Sequence, residues 1–291
     1  MLARSKWTAL VLGWILIPGV AVAGEFTPVS QSRSVHSDTI NSTTGYTCLS
    51  GILPSCPVDL GTTTPSDDHA ASNFAPWSAE ATTTGGSSSQ NSVVGVTSVI
   101  ASGSSSADAS AEVLTEPGYP PYILVLSRSD PSTRNDFSMS FDLDVASNFS
   151  FLASGEIVYP DPSFPLVWDA SLQLELSGPS GVVATLEAVV DSACTPDTEM
   201  LCTVTPTPIT MSGVLPPGAY NLTIELVTSA GGSWLPSAGA MSGLASGSYD
   251  VSLQLTPTPS VPALSVPALW LLALGLAGLG LLGLGSRRLL R

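Results

Sequence analysis

Basic residues are almost missing from the body of this 291-residue chain: there are eight in all, and five lie at its two ends. Between residues 24 and 286 only Arg33, Arg128 and Arg134 stand against 23 acidic side chains, and lysine is absent. A surface of that sign repels phosphate backbones, which excludes nucleic-acid binding. It also favours solubility. Histidine is scarce as well, with His36 and His69 near none of the cysteines, and no C-x-x-C spacing occurs, so the ligand set of a structural zinc site is not there. No G-x-S-x-G elbow is present. Helical periodicity is nearly lacking between the two ends, and so is any solenoid-type repeat.

What the chain does have begins with an export signal. Arg4 and Lys6 precede an apolar core from Trp7 to Ile17, Pro18 and Gly19 interrupt it, and Ala21 and Ala23 frame a small-residue cleavage site before Gly24. Residues 1–23 therefore read as a signal peptide, handled by the Sec machinery and signal peptidase. Export permits disulfides. Cys48 and Cys56, and Cys194 and Cys202, form two pairs with the same spacing. Four cysteines allow three pairings; closing each loop within its own pair is the simplest, worth about 2–3 kcal/mol through the unfolded state.

Period-two alternation dominates the middle. In FSMSFDLDV, Phe137, Met139, Phe141, Leu143 and Val145 point one way and Ser138, Ser140, Asp142 and Asp144 the other. Leu172, Leu174 and Leu176 repeat the scheme, as do Tyr220, Leu222 and Ile224, and Tyr249, Val251, Leu253 and Leu255. Pro and Gly in SGPSG and LPPGAY supply the turns. Strands with one wet and one buried face, and no helices between them, predict an all-β antiparallel sandwich over residues 70–256. The Ser/Thr/Gly/Ala-rich stretch 61–118 reads as small-residue strands of that sandwich rather than a linker, because WSAEATTT and ADASAEVL alternate. Residues 24–69, with the first cysteine pair, read as a loose arm and loop, and His69, beside Asp67 and Asp68, as part of a polar loop.

The end of the chain has three parts. Val261-Pro262-Ala263-Leu264-Ser265 closes a proline-bearing linker at 257–265; residues 266–284 are apolar and uncharged; Arg287, Arg288 and Arg291 lie in the basic tail 285–291. The run is about 28 Å long as a helix, which suits a bilayer core. The arginines stop transfer and leave the body of the chain outside the cytoplasm. Together these parts resemble the bacterial PEP-CTERM sorting signals read by exosortases, and among them the IPTL-CTERM variant. The variant's Trp-Gly position is occupied here by Pro267-Ala268, with Trp270 three residues late. The order NFAPWSAEA, FDLDV, LQLELSGPSG, LPPGAY, SYDVSLQL is similar to the jelly-roll-like domains that often precede such signals.

The resemblance implies insertion in the inner membrane through residues 266–284, with the ectodomain in the periplasm. It further implies exosortase cleavage near the 261–265 motif, then surface attachment or release into an extracellular matrix, often alongside exopolysaccharide production. The function expected is that of a non-catalytic envelope protein without cofactor or metal. The alternatives are a module that binds extracellular polysaccharide and, less favoured, a secreted hydrolase whose carboxylates converge only in the fold.

Overall fold

The computed structural model describes residues 26–50, 53–114, 124–160, 167–190, 201–231 and 240–257. Every regular element among them is a strand, every pairing is antiparallel, and together they make one 14-stranded sheet that is nearly closed on itself. One wall contains β1 (Phe26–Ser50), β7 (Leu124–Leu143), β13 (Gly218–Gly231), β9 (Val167–Gly178) and β10 (Gly181–Val189), in that order. On the far edge of β1 lie β2 (Leu53–Thr63) and β3 (Ser66–Ala71). The other wall contains β4 (Trp77–Thr83), β5 (Gly86–Val94), β6 (Ser98–Leu114), β14 (Ala240–Pro257) and β8 (Ser147–Pro160). On the far edge of β8 lie β11 (Leu201–Val204) and β12 (Ile209–Leu215). The walls are joined where the end of β6 pairs with the start of β7.

Strand alternation explains one half of the interior. Phe137, Phe141, Leu172, Leu174, Tyr220, Leu222, Ile224, Val251 and Leu253, the core expected from the sequence, are all buried, none more than 3% exposed. Phe141 lies 5.1 Å from Phe26 and stacks on Tyr220 at 5.4 Å between ring centres. The Tyr220 hydroxyl donates to the Pro216 carbonyl at 2.8 Å and so fastens the LPPGAY turn from inside. Across from these rings, Phe149, Phe151 and Ala153 of β8 complete the apolar half.

The other half of the interior corrects the sequence reading. Residues 26–50, expected as a loose arm, are the longest strand of the fold, and residues 66–71, expected as a loop around His69, are β3. The inward positions of β1 are Gln31, Arg33, Val35, Ser37 and Thr39. An alternation of polar against polar leaves no hydrophobic pattern to read. The small-residue strands expected between 61 and 118 are there as β4, β5 and β6. Their inward Ala81, Ser88, Gln90, Ser92, Ala101 and Ser105 are all buried. Short side chains let the two walls approach closely. At Gly103 an added Cβ would lie 2.6 Å from Asn135 Nδ2 and 2.7 Å from a Tyr249 ring carbon, so only glycine fits without a shift.

The signal peptide, Gly24, Cys194, the 261–265 motif, the 266–284 segment and the terminal arginines lie outside the described residues. Among the described residues there is no helix.

Candidate functional site

Arg33 is the largest fully buried side chain described, and no ion pair involves it among the described residues. Strand β1 points it inward toward the segment that leads into β4. Its Nη1 donates to the Ala75 carbonyl at 2.9 Å and to Ser92 Oγ at 3.2 Å. Its Nη2 donates to Asn73 Oδ1 at 3.1 Å and to the Asn73 carbonyl. The guanidinium carbon sits 5.3 Å from the centre of the Trp77 ring. Carbonyl dipoles and a ring face thus take the place of a carboxylate. Burial lowers the Arg33 pKa from its ordinary value. Arg33 thus contacts the NFAPW segment at Asn73, Ala75 and Trp77, and helps to fix the entrance to β4.

Beside Arg33 runs a polar spine. Gln90 Nε2 donates to Asn135 Oδ1 and to the Tyr249 hydroxyl, both at 2.8 Å. Tyr249 donates to Asn135 Oδ1 at 2.9 Å, and Asn135 Nδ2 donates to the Ser89 carbonyl at 2.5 Å. Farther along, Thr133 and Thr228 meet at 2.7 Å and Ser105 reaches Thr228 at 2.9 Å. Most of the buried polar atoms in this network find partners within it, which offsets the cost of burying them, while Gln90 Oε1 has no hydrogen-bond partner among the described residues.

Burial, above all, raises the Tyr249 pKa above the ordinary tyrosine value. The folded chain therefore keeps this proton at a pH where the unfolded chain has lost it. The stability is fully present below about pH 10 and falls as pH rises beyond it, by up to about 1.4 kcal/mol per unit for one group. Tyr249→Phe is expected to cost about 1 kcal/mol at neutral pH and to make the alkaline decline shallower by one proton. Denaturant titrations between pH 8 and about pH 11 measure both. Equal slopes in the two proteins would show that Tyr249 does not titrate in this way. Burial raises the Tyr220 pKa as well, so the difference between the proteins, not the wild-type slope, is diagnostic.

The outer surface of the first wall carries a shallow concavity. Registration of β7, β13, β9 and β10 brings Asp136, Glu225, Gln173 and Glu187 into one row and Ser138, Thr223, Glu175 and Thr185 into the next. These two rows line a shallow trough of about 400 Å³. Arg134 binds Asp136 through Nε at 2.8 Å and Glu225 through Nη2 at 3.0 Å. The hydrogen bond to Asp136, with the charges of both carboxylates, raises the Arg134 pKa. Glu175 and Glu187 have no such ion pair among the described residues. The trough can accept hydroxyl, amide or cationic groups.

The structure disperses the other candidates. His69 Nε2 lies 3.3 Å from Asp67 Oδ1, whose other oxygen accepts the Thr82 N–H at 2.9 Å. His36 pairs with Asp68 across β1 and β3. Both histidines thus sit among aspartates at the β3 edge. Asp142 lies on the outer side of β7 and Asp144 just beyond its end. Among the described residues no group of three or more His, Cys, Asp or Glu is placed to hold a metal ion. Cys56 and Cys202 are disulfide-bonded, and β1 and β2 register Cys48 opposite Ser55, next to Cys56. Trp77 lies against Arg33 and Trp168 against the core, while Trp234 is outside the described residues. The exposed large hydrophobic side chains among the described residues are all aliphatic, and Tyr46, Phe74, Trp77 and Trp168 are half-buried.

The sequence reading missed Arg33 and the spine. The available signal was the period-two run Gln31, Arg33, Val35, Ser37, Thr39, legible only if polar residues are admitted as core.

No protein family and no curated protein matches the chain. Among solved structures, one of infectious bursal disease virus, Gt strain, overlaps 82% of this chain and 67% of its own, at 14% identity and a TM-score of 0.19. The VP2 subviral particle of the same virus overlaps 82% and 68%, at 14% identity and a TM-score of 0.17. Superpositions this loose carry no information on function.

Proposed function

We propose that the chain is an exported bacterial envelope protein with a non-catalytic, jelly-roll-like β-sandwich ectodomain, sorted and processed through its carboxy-terminal signal. The observation that carries this reading is the three-part end: the 261–265 motif, the apolar run and the arginines. The described strands run from Phe26 to Pro257 and so lie between the expected signal-peptidase site and the 261–265 motif. The partners this implies are the Sec machinery, signal peptidase, an exosortase and the membrane; the ectodomain itself needs no cofactor.

The test is the carboxy terminus of surface-extracted protein, read by mass spectrometry. The mature chain is expected to begin at Gly24 and to end near Val261–Ser265. Replacing Pro262 and Leu264 should leave the protein inserted but unprocessed, with residues 266–291 retained. An intact Arg291 in wild-type surface material would overturn processing and leave a single-pass membrane protein.

A second reading, binding of an extracellular polysaccharide, draws on the outer face of the second wall. There the register aligns Ser87 with Ser106 and Ser246, and Ser89 with Ser104 and Ser248. Hydroxyl rows of this kind, rather than stacked rings, would meet a polyhydroxyl ligand. Co-sedimentation of the purified protein with the producing strain's own polysaccharide tests it, and protein remaining wholly in the supernatant would reject it.

A further inference from the structure

The free edges of the sheet are not treated alike. An unpaired strand edge invites pairing with another chain, and proteins usually blunt it with charge, proline or a bulge. Here β3 carries Asp67 and Asp68, β2 carries Asp59, β10 carries Glu187, and β4 carries Glu80 and has its Thr82 N–H bound to Asp67. Strand β12 differs. Residues 201–217, which include it, contain no charged side chain in a chain with 23 acidic ones. Among the described residues it pairs with β8 alone, in a register without a bulge. Thr210, Ser212, Gly213 and Val214 are exposed, Val214 by 56%, and Leu152 beside them on β8 by 50%. Pro208 and Pro216 bracket the strand and limit any added ladder to Ile209–Leu215.

We infer that β12 is a self-association edge, at which a second copy of this chain adds its own β12 antiparallel about a two-fold axis through Ser212. Charge selects this occupant and this place. Two copies of a polyanion repel over most of their surfaces, and this edge is where they can meet with no carboxylate on either contacting strand. Two-fold symmetry makes the contact isologous and the new pair antiparallel. Centred on Ser212, the register sets Thr210 of one copy opposite Val214 of the other, and Met211 opposite Gly213. The β-branched Thr210 and Val214 meet, Ile209 faces Leu215, and each methionine faces the residue with no side chain. The inference is independent of whether the tail is processed.

The test uses the full chain in density-matched detergent. Sedimentation equilibrium is expected to give about twice the monomer mass, and Ser212→Glu, which sets two carboxylates against each other at the axis, to weaken association at least tenfold. Across an antiparallel pair the two Cα atoms stand about 4.5–5.5 Å apart, within disulfide reach. Ser212→Cys should therefore oxidise to a covalent dimer on a non-reducing gel, whereas Ser150→Cys, one strand inward, should not. A wild-type monomer together with no Ser212→Cys dimer would overturn the inference. So would a dimer as tight in Ser212→Glu as in the wild type, because its contact would then lie elsewhere.

Discussion

Phe141→Ala is expected to lower the unfolding free energy by about 3–5 kcal/mol, the range for deleting a large aromatic from a packed core. Phe141 is fully buried, in the middle of a row that crosses three strands. Its register partners are Pro28 on β1 and Tyr220 on β13, and its ring touches both Phe26 and Tyr220. Alanine would remove the ring that holds β1 and β13 to the same face of β7 and leave a cavity between two aromatics. Domains of this kind hold only about 5–15 kcal/mol in total, so the variant would be poorly populated at elevated temperature. Denaturant unfolding with the disulfides intact measures the change, with Ser138→Ala on the outer side of the same strand as the control. That control should stay within about 0.5 kcal/mol. A loss below about 1 kcal/mol for Phe141→Ala would show that this row is not the centre of the core.

The second large effect is expected at Asn135. Asn135→Ala should cost about 3 kcal/mol, although it removes no apolar contact of consequence. The side chain is fully buried; it accepts from Gln90 and Tyr249 and donates to the Ser89 carbonyl. Deleting it strands a carbonyl and weakens two donors where water does not reach, at about 1–3 kcal/mol for each group left unpaired. Paired with Tyr249→Phe, it also tests whether the spine acts as a unit. The double variant should lose less than the two single losses combined, with a coupling of about 0.5–3 kcal/mol. Strict additivity would mean that the hydrogen bonds contribute separately and not as a network.

These two residues mark the boundary of what could be read from the chain. Phe141 lies in a segment whose apolar and polar residues alternate without exception, and that pattern specifies both the strand and the side it buries. The same holds for Leu172 and Leu174, and for Leu222 and Ile224. Asn135 lies on the same strand, inward, but six residues earlier, where alternation sets polar against polar. No hydrophobic pattern distinguishes an inward asparagine from an outward one. Strand β1 was missed for that reason, and with it Arg33, whose partners are 40 to 59 residues away in the chain.

By itself the sequence determined the all-β class, the part of the apolar core carried by β7, β9, β13 and β14, and the turns between the later strands, because period-two burial and Pro/Gly chemistry are local properties of the chain. It also carried the whole case for export and sorting, since those signals are read as linear segments. Only the tertiary structure decided that residues 26–50 are a strand paired on both sides and that Ser, Thr, Asn, Gln and Arg occupy part of the interior. It alone showed that one free edge lacks the charges found on the others. Burying a polar group is costly without a partner, and that partner, like the neighbour an edge strand lacks, is assigned by the folding of distant segments against one another.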